Sequence, residues 1–143
     1  MVLNQHTNGI KNMLILVTSA EVDHLKEMRT KEYEKTIEWA KIKDSEGYNI
    51  VWLECISDTE PPYLKEQFPC YCTNNNNPNY RNKGSNLGMA MEKFFEDCEV
   101  DDEYAVYLTG RYHFTDNTFF DIMEVNPGCD FYGKNDGTDQ YFT

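Results

Sequence analysis

Five consecutive apolar residues, Met13-Leu14-Ile15-Leu16-Val17, stand between a polar lead-in and Thr18-Ser19. A run this short is a strand rather than a helix, and because it is continuous instead of alternating it must be covered on both faces. That places it at the centre of a parallel sheet with further layers above and below. A second run, Asn49-Ile50-Val51-Trp52-Leu53-Glu54-Cys55, has the same character and follows a break at Gly47. Between the two, Arg29 to Ala40 is rich in lysine and glutamate, with Tyr33, Ile37 and Ala40 spaced along one helical face and Glu27, Glu34 and Glu38 on the other. Strand, amphipathic helix and strand form the opening of a right-handed βαβ unit.

The rest of the chain extends this pattern. Leu87, Met91, Phe94, Phe95 and Cys98 make a wide apolar stripe on a helix over Asn86 to Cys98, with Ser85 in the N-cap position. The helix leads to Tyr104-Ala105-Val106-Tyr107-Leu108, read as a third buried strand that stops at Thr109. Tyr63 to Phe68 reads as a short helical turn and Cys70 to Thr73 as a short strand. Asn74 to Asn77 with Pro78 is a polar loop, and Asp116-Asn117 is placed to cap a brief helix through Phe119, Phe120, Ile122 and Met123. Asn126-Pro127-Gly128 marks a turn, Cys129 to Tyr132 and Gln140 to Thr143 read as strands, and residues 1–12 as a tail or lead-in. No repeat and no linker composition interrupts residues 1–143. The expected fold is one domain, a three-layer α/β/α sandwich with a mainly parallel sheet centred on Leu14, Leu16, Ile50, Trp52, Val106 and Leu108.

Charge narrows the function. Twenty-five acids against thirteen bases give a net charge of -12, which opposes nucleic acid and anionic membrane as partners, since both require clustered cations. Any phosphate must be met by a local device: a few basic side chains, backbone N–H groups or a bridging metal. No apolar run is long enough to span a bilayer, and no segment has a signal-peptide layout. With five cysteines, an odd number, the expectation is a cytoplasmic protein whose thiols are reduced and packed in the core or on strands. Cys70-Tyr71-Cys72 has no second Cys or His pair at zinc-like spacing.

Open α/β sheets bind ligands at the carboxyl ends of their strands, so the candidate site gathers residues that close strands or open a helix. Thr18 and Ser19 end the first strand, Lys83 and Gly84 lead into the second helix, and Thr109, Gly110, Arg111 and Tyr112 end the strand that begins at Tyr104. Arg111 has two readings, a bidentate phosphate contact or a surface ion pair with one of the many carboxylates. Tyr112 is equally a packing or a recognition residue. His113, Asp116 and Asp121 are the candidate acid–base groups, Asp116 the best placed with His113 beside it, and a strand-end role for His113 and a helix-capping role for Asp116 are the alternatives. A Walker loop is absent, because no glycine lies five residues before Lys83.

The sequence of a strand ending Thr18-Ser19, a helix, a strand, Asn82-Lys83-Gly84 opening a helix, and a strand ending Leu108-Thr109-Gly110-Arg111-Tyr112 resembles the nucleotide-sugar-binding half of GT-A type glycosyltransferases. It looks most like small polysaccharide-type and viral members with a Lys-Gly before the helix and a Thr-Gly-Arg-Tyr after the strand. The resemblance spans residues 13–143. It implies a nucleotide-diphosphate sugar as donor, a glycan or protein as acceptor, a base cradled at the first strand's end and a nucleotide lying along Asn82-Lys83-Gly84. Such enzymes usually hold manganese or magnesium on the diphosphate with an Asp-X-Asp. Here Thr109-Gly110-Arg111 stands in that position, so no cofactor is expected and an arginine replaces the metal's charge. About thirty residues follow Tyr112. The expected acceptor half is therefore minimal or supplied by another subunit, or the chain is a binding or structural domain without turnover.

Overall fold

In a computed structural model, residues 12–73, 83–126 and 128 are described, without the side chains of Asp23 and of residues 83–86. The expected tail before Asn12, the asparagine loop, the turn at Pro127 and the strands proposed at Cys129–Tyr132 and Gln140–Thr143 lie outside the described residues. The chain divides into two compact units, Met1–His113 and Phe114–Thr143.

The first unit is an α/β structure. Strand β1 (Met13–Ser19) leads through a 3-10 turn at Asp23–Leu25 into helix α1 (Lys26–Ser45), followed by β2 (Asn49–Glu54), a 3-10 turn at Pro62–Leu64, β3 (Cys70–Cys72), helix α2 (Lys83–Asp97) and β4 (Tyr104–Thr109). The four strands are parallel in the order β3-β2-β1-β4. Leu16 stands beside Val51 on one side and Tyr107 on the other.

Every residue of β1 and β2 is buried, as their unbroken apolar runs require. Leu14, Leu16, Val51 and Leu53 form one face and pack with Ala90 and Phe94 of α2 and with Cys98 just after it. On the opposite face the Trp52 ring meets Tyr33 of α1 edge-on, with centroids 6.3 Å apart, and Ile37 and Ala40 continue the buried stripe of that helix. The two helices therefore cover opposite faces of the sheet. A large apolar side chain buried as fully as Trp52, Phe94 or Ile15 contributes about 1.5–3 kcal/mol, which makes the β1–β2 interior the main source of stability.

Three expectations need correction. The strand β4 is buried on one face only: Val106 and Leu108 are covered, whereas Ala105 and Tyr107 are exposed. It is the outer strand of the described sheet, and an outer strand needs only one apolar face. Helix α1 is longer than Arg29–Ala40, because nothing in its Lys- and Glu-rich ends stops it before Gly47. There the Gly47 N–H bonds the Asp44 carbonyl, the Tyr48 N–H bonds that of Lys43, and φ is 97° at Gly47, a Schellman ending that favours glycine. Helix α2 begins at Lys83, so Ser85 lies in its first turn and is not the N-cap. Phe95, at the margin of the α2 stripe, is exposed.

The four described cysteines are free, with Cys55 and Cys98 buried and Cys70 and Cys72 half-buried on β3. No helix among the described residues is long and apolar enough to cross a membrane. In the second unit, α3 (Thr118–Val125) follows the Asp116-Asn117 pair, with Phe120 and Met123 buried and Phe114 stacked on Phe119 at 4.9 Å.

Candidate functional site

The strand order creates the site. From β1 the chain steps outward to β2 and β3, then returns across the sheet to place β4 on the other side of β1. At such a reversal the connections leaving the two adjacent carboxyl ends diverge, and a crevice opens between them. Here the crevice is a cleft of about 280 Å³ walled by the ends of β1, β2 and β4, the loop after β1, the first turns of α1, and Leu87 of α2.

The loop after β1 is held from beneath by Glu54, the last residue of β2, which is fully buried. One of its carboxylate oxygens accepts the backbone N–H groups of Glu21 (3.0 Å), Ile56 (3.0 Å) and Ser57 (3.1 Å), and the other accepts the Ser19 hydroxyl. Ser19 in turn accepts the Trp52 indole N–H at 2.8 Å. A carboxylate without water is stable only when its lone pairs are filled in this way. The first helix holds the same loop from above: the Tyr33 hydroxyl accepts the Ala20 N–H at 3.1 Å, and Arg29 Nη1 donates to the Ala20 carbonyl at 3.2 Å.

Gly110 closes the β1–β4 side. Its N–H bonds the Thr18 carbonyl at 2.7 Å, and a Cβ added there would stand 2.6 Å from that oxygen and 3.0 Å from the Tyr33 ring. Gly110 thus admits a close approach by the Thr18 carbonyl and the Tyr33 ring of this chain.

Of the expected ligand-binding residues, Thr18, Ser19, Thr109 and Arg111 line the cleft together. The Ser19 hydroxyl is already committed to Glu54 and Trp52, which makes it part of the scaffold. Arg111 is exposed, its guanidinium carbon 5.7 Å from the Tyr112 ring centroid, and among the described residues it pairs with no carboxylate. Tyr112 is exposed at the strand end, where its carbonyl accepts the Thr36 hydroxyl at 3.3 Å. Lys83 and Gly84 occupy the first turn of α2, and the Lys83 side chain lies outside what is described. His113 is exposed and is not part of the cleft wall. Asp116 belongs to the second unit, where its carboxylate accepts the Thr118 N–H at 2.9 Å. That bond, with the Thr118 hydroxyl, holds its carboxyl below the usual range.

Sequence reasoning missed Arg29, Tyr33 and His24, which also line the cleft, and Glu54 beneath it. Arg29 is 9% exposed and its Nε has no partner. A signal was present: Arg29 precedes Tyr33, Ile37 and Ala40 in the register of the buried face, so a basic residue stands where an apolar one is expected. Burial raises the Tyr33 phenol, opposed by its Ala20 bond and the positive fields of Arg29 and Arg111. Burial, with the Glu54 charge adding to it, pushes the Cys55 thiol in the cleft wall up to about 12, which makes it unreactive at neutral pH.

Among the residues whose side chains are described no Asp or Glu lines the cleft, and no three His, Cys, Asp or Glu side chains gather where they could hold a metal ion. Val22, Leu25, Ile56 and Leu87 add apolar surface to the lining. The cleft thus combines apolar side chains with two arginines, the composition expected for a ligand with one apolar part and one anionic part. No family model, curated protein or solved structure matches the chain.

Proposed function

We propose that the crevice between β1 and β4 binds a nucleotide-diphosphate sugar and that the chain acts as a metal-independent, GT-A-like glycosyltransferase toward a glycan or protein acceptor. The observation that carries this reading is Arg111, set in a switch-point cleft that no Asp or Glu lines among the residues whose side chains are described. A nucleobase fits the apolar surface of Val22, Leu25, Ile56 and Leu87, and the diphosphate meets Arg111, whose planar fork matches paired phosphate oxygens without a metal. In sugar transfer the bond between the anomeric carbon and the terminal phosphate oxygen breaks, and its electron pair stays on the diphosphate. The Arg111 guanidinium stabilises that growing charge, which is the main electrostatic requirement of the step.

A thermal-shift panel of UDP, GDP, CDP and dTDP sugars, with manganese or with a chelator, tests the reading. The expected result is a shift with at least one sugar nucleotide that persists in chelator. No shift with any of them would overturn it.

The absence of Asp and Glu from the described cleft wall favours a second reading, a donor-binding module without turnover. Donor hydrolysis and transfer to simple acceptors separate the two: binding with no product places the chain in the second class.

A further inference from the structure

Arg29 is a built feature of the cleft. Its side chain comes from the second turn of a twenty-residue helix, is nine-tenths buried and spends one N–H on the Ala20 carbonyl while Nε has no acceptor. Among the described residues no carboxylate pairs with it. Of the nearby acids, Glu54 is filled by four donors and Glu21 lies 3.7 Å from Lys26, while Glu32, one turn along the same helix, keeps a buried carboxylate oxygen without a bond and forms no ion pair with Arg29. A buried guanidinium with donors to spare is costly unless an anion completes it. The same wall holds the start of α1, whose N-cap, Leu25, offers no side-chain bond, so the positive end of the helix adds to the field. Arg111 faces the same cleft from the end of β4.

We propose that Arg29 is the principal phosphate-binding residue of this cleft, and that Arg29 and Arg111 together receive the two phosphoryl groups of a diphosphate directly, with no divalent ion. The location rests on the sugar-nucleotide reading above, but the chemistry asks only for a diphosphate. Inorganic pyrophosphate is therefore a sufficient ligand. Arg29 dominates because it is fixed before binding by Ala20 and the helix, whereas Arg111 is exposed and loses motion when it binds.

The test is calorimetric titration of the full chain with pyrophosphate in chelator, repeated with Arg29→Gln, Arg29→Lys and Arg111→Gln. The wild type is expected to bind one pyrophosphate, and added magnesium is expected to leave the affinity unchanged or lower it. Loss of a charge-assisted contact corresponds to roughly 10-fold to 100-fold in affinity, expected for Arg29→Gln, with a smaller loss for Arg111→Gln. Arg29→Lys keeps the charge without the fork and should fall between the wild type and Arg29→Gln; if Arg29→Gln does not fold, the lysine variant decides. Unchanged affinity in Arg29→Lys and Arg29→Gln would overturn the assignment of Arg29 even if sugar nucleotides bind. Binding that appears only with magnesium would overturn the direct contact. Arg29-dependent pyrophosphate binding without any sugar-nucleotide shift would uphold this inference and remove the donor reading, and absence of both would remove both.

Discussion

Two buried charges stand at the same carboxyl edge of the sheet, and their surroundings are opposite. On the β1–β2 side, Glu54 is fully enclosed and its two oxygens take three backbone N–H groups and a hydroxyl. On the β1–β4 side, Arg29 is almost as deeply enclosed, yet has one bond to a backbone carbonyl and an unpartnered Nε. A satisfied buried charge stabilises the scaffold, whereas an unsatisfied one is maintained against a cost that a ligand can offset. The contrast teaches that burial of a charged group does not by itself mark a site. The number of partners left open does.

The comparison breaks most visibly through Glu54. Glu54→Ala leaves three amides and the Ser19 hydroxyl without their acceptor, and the expected loss of stability is about 3–5 kcal/mol, read from the urea midpoint. A loss below about 1 kcal/mol would mean that water replaces the carboxylate freely and that the two sides are not different in kind. Gly110→Ala is next. Its new methyl would meet the Thr18 carbonyl at 2.6 Å, and a backbone oxygen cannot yield as a side chain does, so roughly 1–3 kcal/mol is expected. The same change moves Arg111, so ligand affinity should fall along with stability. A variant as stable as the wild type would show that β1 and β4 separate easily at this end.

Much of the scaffold was legible because β1 and β2 carry continuous apolar runs that allow only one placement. The sequence suggests a fully buried β4 because Tyr104 and Tyr107 count as apolar, although a tyrosine is amphipathic and tolerates partial exposure. Thr18, Ser19 and Arg111 were legible as strand ends, and the structure brings them to one cleft. Arg29 was not, because a single arginine in a Lys- and Glu-rich stretch resembles the solvated residues around it until its register with Tyr33 and Ile37 is drawn. Glu54 closes an apolar strand, where a carboxylate ordinarily turns to solvent; its partners at Ser19 and Glu21 are more than thirty residues away. The reason for Gly110 is equally non-local, since Thr18 and Tyr33 come from the first strand and the first helix.

The open side of the comparison is sharpened by Arg111→Ala. The residue is exposed and has no carboxylate partner among the described residues, so stability should change by less than about 0.5 kcal/mol. Affinity for a nucleoside diphosphate should fall roughly 10-fold or more. Lys83→Ala should lose less, because a point charge on a flexible stem gives up less than a planar bidentate contact. Equal small losses would return Arg111 to the class of ordinary surface cations.

Asp116 gives the smallest expected effect, and it bears on turnover. Its carboxylate already accepts the Thr118 N–H ahead of α3, and those Thr118 contacts lower its pKa. A carboxylate held in that state is a weaker proton acceptor than a free one, which favours the capping role over that of general base. Because the folded value is depressed, the contribution to stability is present above the ordinary carboxylate range and is lost as pH falls through the folded value. The protection of the Thr118 amide, measured against its intrinsic exchange rate at each pH, should therefore fall on acidification in the wild type, while Asp116→Asn should lack that acid-dependent step. Donor hydrolysis and transfer, where present, should continue at the wild-type rate in Asp116→Asn. A large fall in rate with α3 intact would restore Asp116 to the mechanism and would mean that its bond to Thr118 is broken when substrate binds.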